Sequence, residues 1–258
     1  MMVLNYFMSR YSTDLLYTFE FLACIFFLVL LVILAKKYGE KHSLYVYIVT
    51  GLLHSTIELV AQGMGVRVIS ATYLFGKIYI SYPFLPFILG FFEGGLFCLM
   101  AYHFVRIMIN RDRFSVKFFS IFASAFVVLI TFGGIRMHSE ASTLTRREVF
   151  NLGNIIVLIV FITISVGYFL LNKRVTSAHR KSFFYFYLGL ILVTIFMVLP
   201  LHILSIRFIE VYQGGGYVYA SLPEQILVMY GYSLAFEAAG FFLPFYVIIY
   251  HFKWIDLK

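Results

Sequence analysis

Charged residues are scarce in this chain of 258 residues. Only 12% are Asp, Glu, Lys or Arg, whereas 62% are hydrophobic, and the mean hydropathy is +0.93. A chain of this composition carries more apolar surface than a water-soluble core of this length can cover. The shortage of charge therefore excludes an ordinary soluble globular protein and predicts that lipid is the solvent.

Cysteine is nearly absent, and several common motifs are missing. Cys24 and Cys98 both fall within apolar runs, where a small buried hydrophobic residue is the simplest interpretation. Neither a disulfide framework nor a cysteine-based metal site is expected. The run from Gly214 to Gly216 lacks the Lys-Ser/Thr that follows in a phosphate-binding loop. Phosphate loops, nucleotide fingerprints and a Ser-His-Asp order are all missing.

Long polar segments are also missing, which sets the domain organisation. No stretch between apolar runs exceeds about twenty residues, and an independent core normally needs at least ~40. We therefore expect residues 1–258 to form a single domain. Lys36 and Lys37 follow the first apolar run, the reverse of the charge order in a secretory signal peptide, so a retained first helix is expected.

Seven apolar runs dominate the chain. Each has about the 20 residues that a helix needs to cross a bilayer, and none shows the two-residue alternation of barrel strands. The sequence therefore predicts an all-α fold, a bundle of seven transmembrane helices in an integral, multi-pass membrane protein. The runs are Leu15 to Ala35, Leu44 to Gly63, Leu85 to Ile109, Phe118 to Gly134, Leu152 to Leu171, Phe183 to Leu204 and Ile226 to Tyr250.

The distribution of basic residues predicts the orientation. Thirteen Lys and Arg residues lie in the loops after runs one, three and five and in the C-terminal tail, against seven in the N-terminal segment and the other loops. The positive-inside rule then puts the N-terminus outside and the C-terminus in the cytoplasm. The same rule explains the net charge of +8, so nucleic acid is not expected as a partner.

Ionisable residues lie inside the apolar runs. A carboxylate in the bilayer centre costs a few kcal/mol and must be compensated by protonation, a cation or a water-filled cavity. The helical rise places His54, Glu58, Glu93 and Glu237 between ~9 and ~16 Å below the outer boundary, in one layer. Glu20 lies near the outer end of its run, where reaching the interface is the simpler expectation.

The spacing of these residues predicts shared helix faces. His54 and Glu58 are four residues apart and stack on one face. Glu93 lies between Gly90 and Gly94, a spacing that allows another helix to approach closely. The last run carries a comparable polar stripe, formed by Tyr230, Ser233, Glu237, Gly240 and Pro244.

The leading hypothesis is an intramembrane enzyme that acts on a small lipid-soluble substrate. In it, His54, Glu58, Glu93 and Glu237 are catalytic, either as ligands of Zn²⁺ or non-haem iron or as a general acid and base. Hydrogen bonding between helices is the alternative reading of the same groups. Glu58, Gly65, Phe75-Gly76 and Tyr79, followed by an aromatic-rich run, resemble the pattern of carotenoid hydratases. The spacing departs from that pattern, so the resemblance implies only an isoprenoid substrate.

Two other classes remain open. The glutamates suit a proton- or cation-coupled transporter or channel, with a cation as its ligand. Seven runs also suit a receptor or a subunit of a membrane complex, with an oligomer or partner subunit beside membrane lipid. Retinal is excluded because Ile226 to Tyr250 contains no lysine, and haem is not expected because neither His103 nor His202 matches the depth of His54.

Overall fold

Helices make up 73% of the chain. The structure, a computed structural model, describes residues 5–64, 71–137 and 143–255. Gly65 of the carotenoid-hydratase pattern, with Arg67 and Lys258 of the charge count, lies outside the described residues. The helices are α1 Asp14–Tyr38, α2 Lys41–Gly63, α3 Phe84–Asn110, α4 Arg113–Met137, α5 Leu152–Leu171, α6 Ser177–Ile203, α7 Leu222–Tyr230, a π-helix Gly231–Phe242, and α8 Phe245–His251.

Helical segments occupy all seven predicted runs, but they differ in their fitness as membrane spans. Among the described residues, five helices are long and apolar enough to cross a membrane: α1, α2, α3, α4 and α6. The last run forms a sixth only if α7, the π-helix and α8 count as one span bent by 41° near Pro244. The apolar part of α5, Ile155–Leu171, is shorter than these five helices. By length and composition, these helices indicate a multi-pass membrane protein.

Strands, which the sequence analysis did not predict, form at one end of the helices. They are β1 Asn5–Ser12, β2 Thr72–Leu74, β3 Ile78–Ile80, β4 Thr143–Glu148, β5 Arg207–Gln213 and β6 Gly216–Tyr219. Four of them form an antiparallel sheet in the order β4-β1-β5-β6, and β2 pairs with β3. Short loop segments carry too weak a periodicity to be recognised alone, and pairing across distant loops stabilises them here.

The sheet fixes which helix ends lie together. Ser9 of β1 is opposite Arg146 of β4 on one side and Phe208 of β5 on the other. The segments before α1, after α4 and after α6 therefore meet at one end of the bundle. At the other end, the Tyr102 hydroxyl of α3 donates to the Trp254 carbonyl at 3.0 Å, so the chain beyond α8 lies away from the sheet.

Helix α3 is the central helix, and it packs closely against α2. Of its most apolar 18 residues 72% are buried, against 17 to 39% in the other four candidate spans. The Thr50 hydroxyl donates to the Gly94 carbonyl at 3.0 Å, and the Ser55 hydroxyl donates to the Phe87 carbonyl at 2.8 Å. A Cβ on Gly90 would lie 2.6 Å from the Ser55 Cα. The predicted close approach at Gly90 and Gly94 is confirmed.

A second polar network lies at the end of α3 away from the sheet. The Arg106 guanidinium pairs with Glu40 at 2.5 Å and with Asp112 at 2.6 Å. Nearby, the buried His103 ring contacts the Ser115 hydroxyl at 2.9 Å. This network ties α3 to the segments that begin α2 and α4.

Candidate functional site

Three of the predicted residues meet where α2 and α3 cross. His54 and Glu58 lie one turn apart on α2, and the glycines of α3 bring Glu93 against them. The His54 Nε2 atom lies 3.7 Å from the Glu58 Oε1 and 3.8 Å from the Glu93 Oε2. Their potential ligand atoms all lie within 4.8 Å of one another.

The spacing of these three groups fits a small cation between them. Contacts of 3.7 and 3.8 Å are too long for direct hydrogen bonds. Ligand atoms around a tetrahedral zinc lie roughly 3.4 Å apart, given bonds of about 2.0 to 2.2 Å. The two contacts from His54 exceed that separation by about 0.3 to 0.4 Å, and a pair of ligand atoms at the 4.8 Å limit would have to close by about 1.4 Å. One imidazole and two carboxylates are ligands that suit Zn²⁺ or non-haem iron.

Aromatic rings enclose His54. Its ring centroid lies 4.7 Å from that of Phe242, 6.1 Å from Phe241 and 6.3 Å from Phe245, and the side chain is 2% exposed. The His54 Nδ1 atom has no hydrogen-bond partner among the described residues. The ring centroids of Phe97 on α3 and of Phe242 lie 5.1 Å apart. The imidazole is thus held by ring packing, with Nε2 toward the carboxylates.

The three groups line a cavity between the helices and the sheet. The space inside it that water molecules can occupy is about 80 Å³. One water molecule needs ~15 Å³ of such space, so the cavity can hold several. All four sequence-predicted residues line it, so the predicted convergence is confirmed, while their chemical roles stay predictions. The other lining residues are Met8, Arg10, Tyr17, Phe97, Thr145, Arg146, Arg147, Thr194, Met197, Arg207, Phe241 and Phe242.

Glu237 lines this cavity but lies outside the three-residue cluster. Its carboxylate accepts from Arg147 at 2.5 Å and from Arg207 at 3.3 Å. The polar residues predicted to form one stripe on the last run do not share one face. The segment Gly231–Phe242 is π-helical, so α-helical spacing does not apply to it. Ser233 and Glu237 face Arg207, whereas a Cβ on Gly240 would meet Leu158 of α5.

The arginines of this site were not recognised in the sequence. They come from loops that the sequence analysis used only to count charge. Burial lowers the pKa of the Arg147 guanidinium, but Glu237, together with Tyr232 and Glu58, outweighs burial and raises that pKa. Burial lowers the pKa of Arg207, and Arg147 and Arg10 act in the same direction, against Glu237. The adjacent pair Arg146-Arg147, in a short loop of an apolar chain, is the signal that could have revealed them.

A separate ion pair holds the sheet together beside the cavity. Arg146 of β4 donates to Glu210 of β5 at 2.7 Å, and the Ser9 hydroxyl of β1 donates to the same carboxylate at 2.5 Å. Burial raises the pKa of Glu210, but the bonds from Arg146 and Ser9 outweigh it and lower that pKa below its ordinary value. Glu210 thus links β4, β1 and β5.

The other ionisable residues that the sequence analysis considered lie elsewhere. His202 contacts the Tyr230 hydroxyl at 3.2 Å, and His103 belongs to the network around Arg106. Glu20, which was expected to reach the interface, is buried within the protein. No protein-family model, curated protein or solved structure matches the chain.

Proposed function

We propose that this chain is an intramembrane metalloenzyme that acts on a lipid-soluble substrate. The convergence of His54, Glu58 and Glu93 on a cavity large enough for water carries the proposal. Catalytic zinc sites have three protein ligands and leave a further position for water or substrate, whereas structural sites are closed by four. A set of three ligands beside an open cavity therefore favours catalysis.

The proposal includes seven membrane crossings, with the sheet on the outer side. Pairing of β1 with β4 requires an even number of crossings between them, and four helices intervene. Pairing of β1 with β5 requires the same of α5 and α6. The last helical segments then end at the opposite side, where Trp254 contacts Tyr102. Together with the charge bias, this pairing supports a metal site in the outer half of the bilayer.

The residues around the metal site have distinct roles in this proposal. Glu58 and Glu93 would neutralise a divalent ion, and His54 would supply the nitrogen ligand. The chemistry that such an ion would supply there is a bound water whose lowered pKa makes it a nucleophile near neutral pH. Phe241, Phe242 and Phe245 exclude bulk water on one side of His54. An apolar substrate tail can pack against the same three rings, which form an aromatic wall.

The aromatic wall also favours an enzyme over a transporter. A transporter needs a polar path to the cytoplasmic side. In the described residues, Phe97 and Phe242 pack against each other and Phe245 packs against His54, at the side of the site away from the sheet. The cavity instead extends toward the arginines of β4 and β5.

Elemental analysis of the full chain, purified in detergent without chelator, tests the proposal. We expect about one zinc or iron per chain. Glu58→Gln and Glu93→Gln should each reduce that content, because a neutral amide is a weaker ligand than a carboxylate. Glu148→Gln, the same change on β4 away from the cavity lining, is the matched control and should keep it. Extraction of the same sample should yield a copurified lipid.

Two results would overturn the proposal. One is a wild-type protein without bound metal that fails to take up added Zn²⁺ or Fe²⁺. The other is metal content that is unchanged in both glutamine variants. If proteoliposomes then show ion flux that depends on Glu58 and Glu237, the transporter takes the place of the enzyme.

A further inference from the structure

Arg207 is a buried guanidinium whose partners are weak. The residue is 6% exposed, and its side chain extends from β5 into the cavity. It contacts the Met8 sulfur, the Ser233 hydroxyl at 3.4 Å and the Glu237 carboxylate at 3.3 Å. A thioether is a poor acceptor, and a guanidinium offers five donors. Arg207 therefore retains capacity for a further acceptor on the cavity side.

Arg147 competes with Arg207 for the same carboxylate. Its guanidinium donates to the other oxygen of Glu237 at 2.5 Å. Two largely buried cations thus share one anion, and Arg10 lines the same cavity. A buried charge without full compensation is costly, so these guanidiniums depend on further negative charge across the cavity.

Metal binding would create a demand for an added anion. Glu58 and Glu93 lie across the same cavity and contribute negative charge to it while no cation is bound. With a divalent ion between them, the ion and three guanidiniums face three carboxylates, which leaves two positive charges. The Arg146 and Glu210 pair adds no net charge. A dianionic group matches this excess.

We propose that Arg147 and Arg207, with Arg10, bind the phosphate group of an amphipathic lipid substrate beside the metal. The inference rests on the proposed function and adds the chemistry of the headgroup. Paired guanidiniums suit phosphate because their planar forks match its oxygens, and phosphate carries about the charge that the site requires. The alkyl part of the substrate would lie along the aromatic wall near Phe241 and Phe242.

Equilibrium binding of simple amphiphiles to the zinc-loaded full chain tests this inference. The probes are dodecyl phosphate, dodecanoate, dodecanol and inorganic phosphate. We expect dodecyl phosphate to bind at least about tenfold more tightly than each of the other three, because only it supplies both the dianion and the chain. Equal binding of dodecanoate or dodecanol would overturn the phosphate assignment. Equal binding of inorganic phosphate would overturn the lipid assignment in favour of a soluble phosphate.

Arginine variants separate this inference from the proposed function. Arg207→Gln and Arg147→Gln should each weaken dodecyl phosphate binding about tenfold or more, because a charged hydrogen-bonding pair is lost. Their zinc affinity should be unchanged or higher, since a nearby positive charge is removed. Arg113→Gln, an exposed arginine on α4, is the control and should change neither.

The outcomes point to different failures. Unchanged phosphate binding in both variants, with zinc retained, would refute the headgroup site and leave the metal site standing. Failure of the wild type to bind zinc would refute the proposed function on its own. If Arg207→Gln does not fold, Arg207→Lys replaces it. That variant keeps the charge but loses the fork, and it should still bind dodecyl phosphate more weakly than the wild type.

Discussion

Replacing Gly94 with alanine is expected to displace the proposed metal ligands. The new Cβ would lie 2.3 Å from the Cβ of His54 and 2.7 Å from the Thr50 carbonyl oxygen. Carbon atoms in contact normally lie about 3.5 to 4.0 Å apart. Both opposing atoms are fixed to the α2 backbone, so a rotamer change cannot relieve the overlap. The two helices must therefore separate by about 1 Å.

This separation should lower both stability and metal affinity. Overpacking costs about 1 to 3 kcal/mol, and loss of the bond from Thr50 to Gly94 adds about 0.6 kcal/mol. A displacement of about 1 Å can also reduce a finely positioned activity by ~10²-fold. We expect an unfolding free energy lower by about 2 to 3 kcal/mol, measured in detergent, and a zinc affinity at least about tenfold weaker, measured by chelator competition.

Gly167→Ala on α5 is the matched control. Its Cβ would meet nothing within 4 Å, so the change should be neutral or stabilise α5 by up to about 1 kcal/mol through helix propensity. If Gly94→Ala has the same stability and zinc affinity as Gly167→Ala, the reasoning about close packing at the site is refuted.

Two further predictions concern the ends of the bundle. Because the pKa of Glu210 is lowered in the folded protein, its stabilising effect should be present above its ordinary pKa near 4.5 and be lost as the pH falls through the lower folded value. Unfolding curves from pH 7 to pH 3 should show this loss in the wild type and less of it in Glu210→Gln; parallel curves would contradict the assignment. At the other end, Arg106→Gln should lower the unfolding free energy by about 3 kcal/mol, because Glu40 and Asp112 lose their partner. An equally stable variant would show that the network contributes nothing.

The helical part of the fold was predictable because burial in lipid leaves a strong sequence signal. Runs of about 20 apolar residues correspond to helices at each predicted position, as in α3 and α6. The bend near Pro244 and the π-helix were not predicted, since an extra residue per turn leaves no mark in hydropathy. The sheet was missed because β1 comes from the N-terminal segment and β4 and β5 from loops far from it in sequence, and each strand is stabilised by the others.

The site was predictable to the extent that its residues are costly in lipid. His54, Glu58 and Glu93 were identified because ionisable groups in apolar runs require compensation, and Gly90 and Gly94 predicted the close helix contact. The arginine side of the cavity was missed because Arg147 and Arg207 lie in loops, where a basic residue is ordinary. The pairing of Glu237 with them followed from the tertiary structure and from no local pattern.

X-ray absorption spectroscopy at the metal edge tests the central claim most directly. For the zinc- or iron-loaded protein, the account predicts one imidazole nitrogen and two carboxylate oxygens at about 2.0 to 2.2 Å, completed by a light atom from water. Glu93→Gln should change this shell. Sulfur scattering at about 2.3 Å, or a spectrum that is identical in the wild type and Glu93→Gln, would contradict a metal site formed by His54, Glu58 and Glu93.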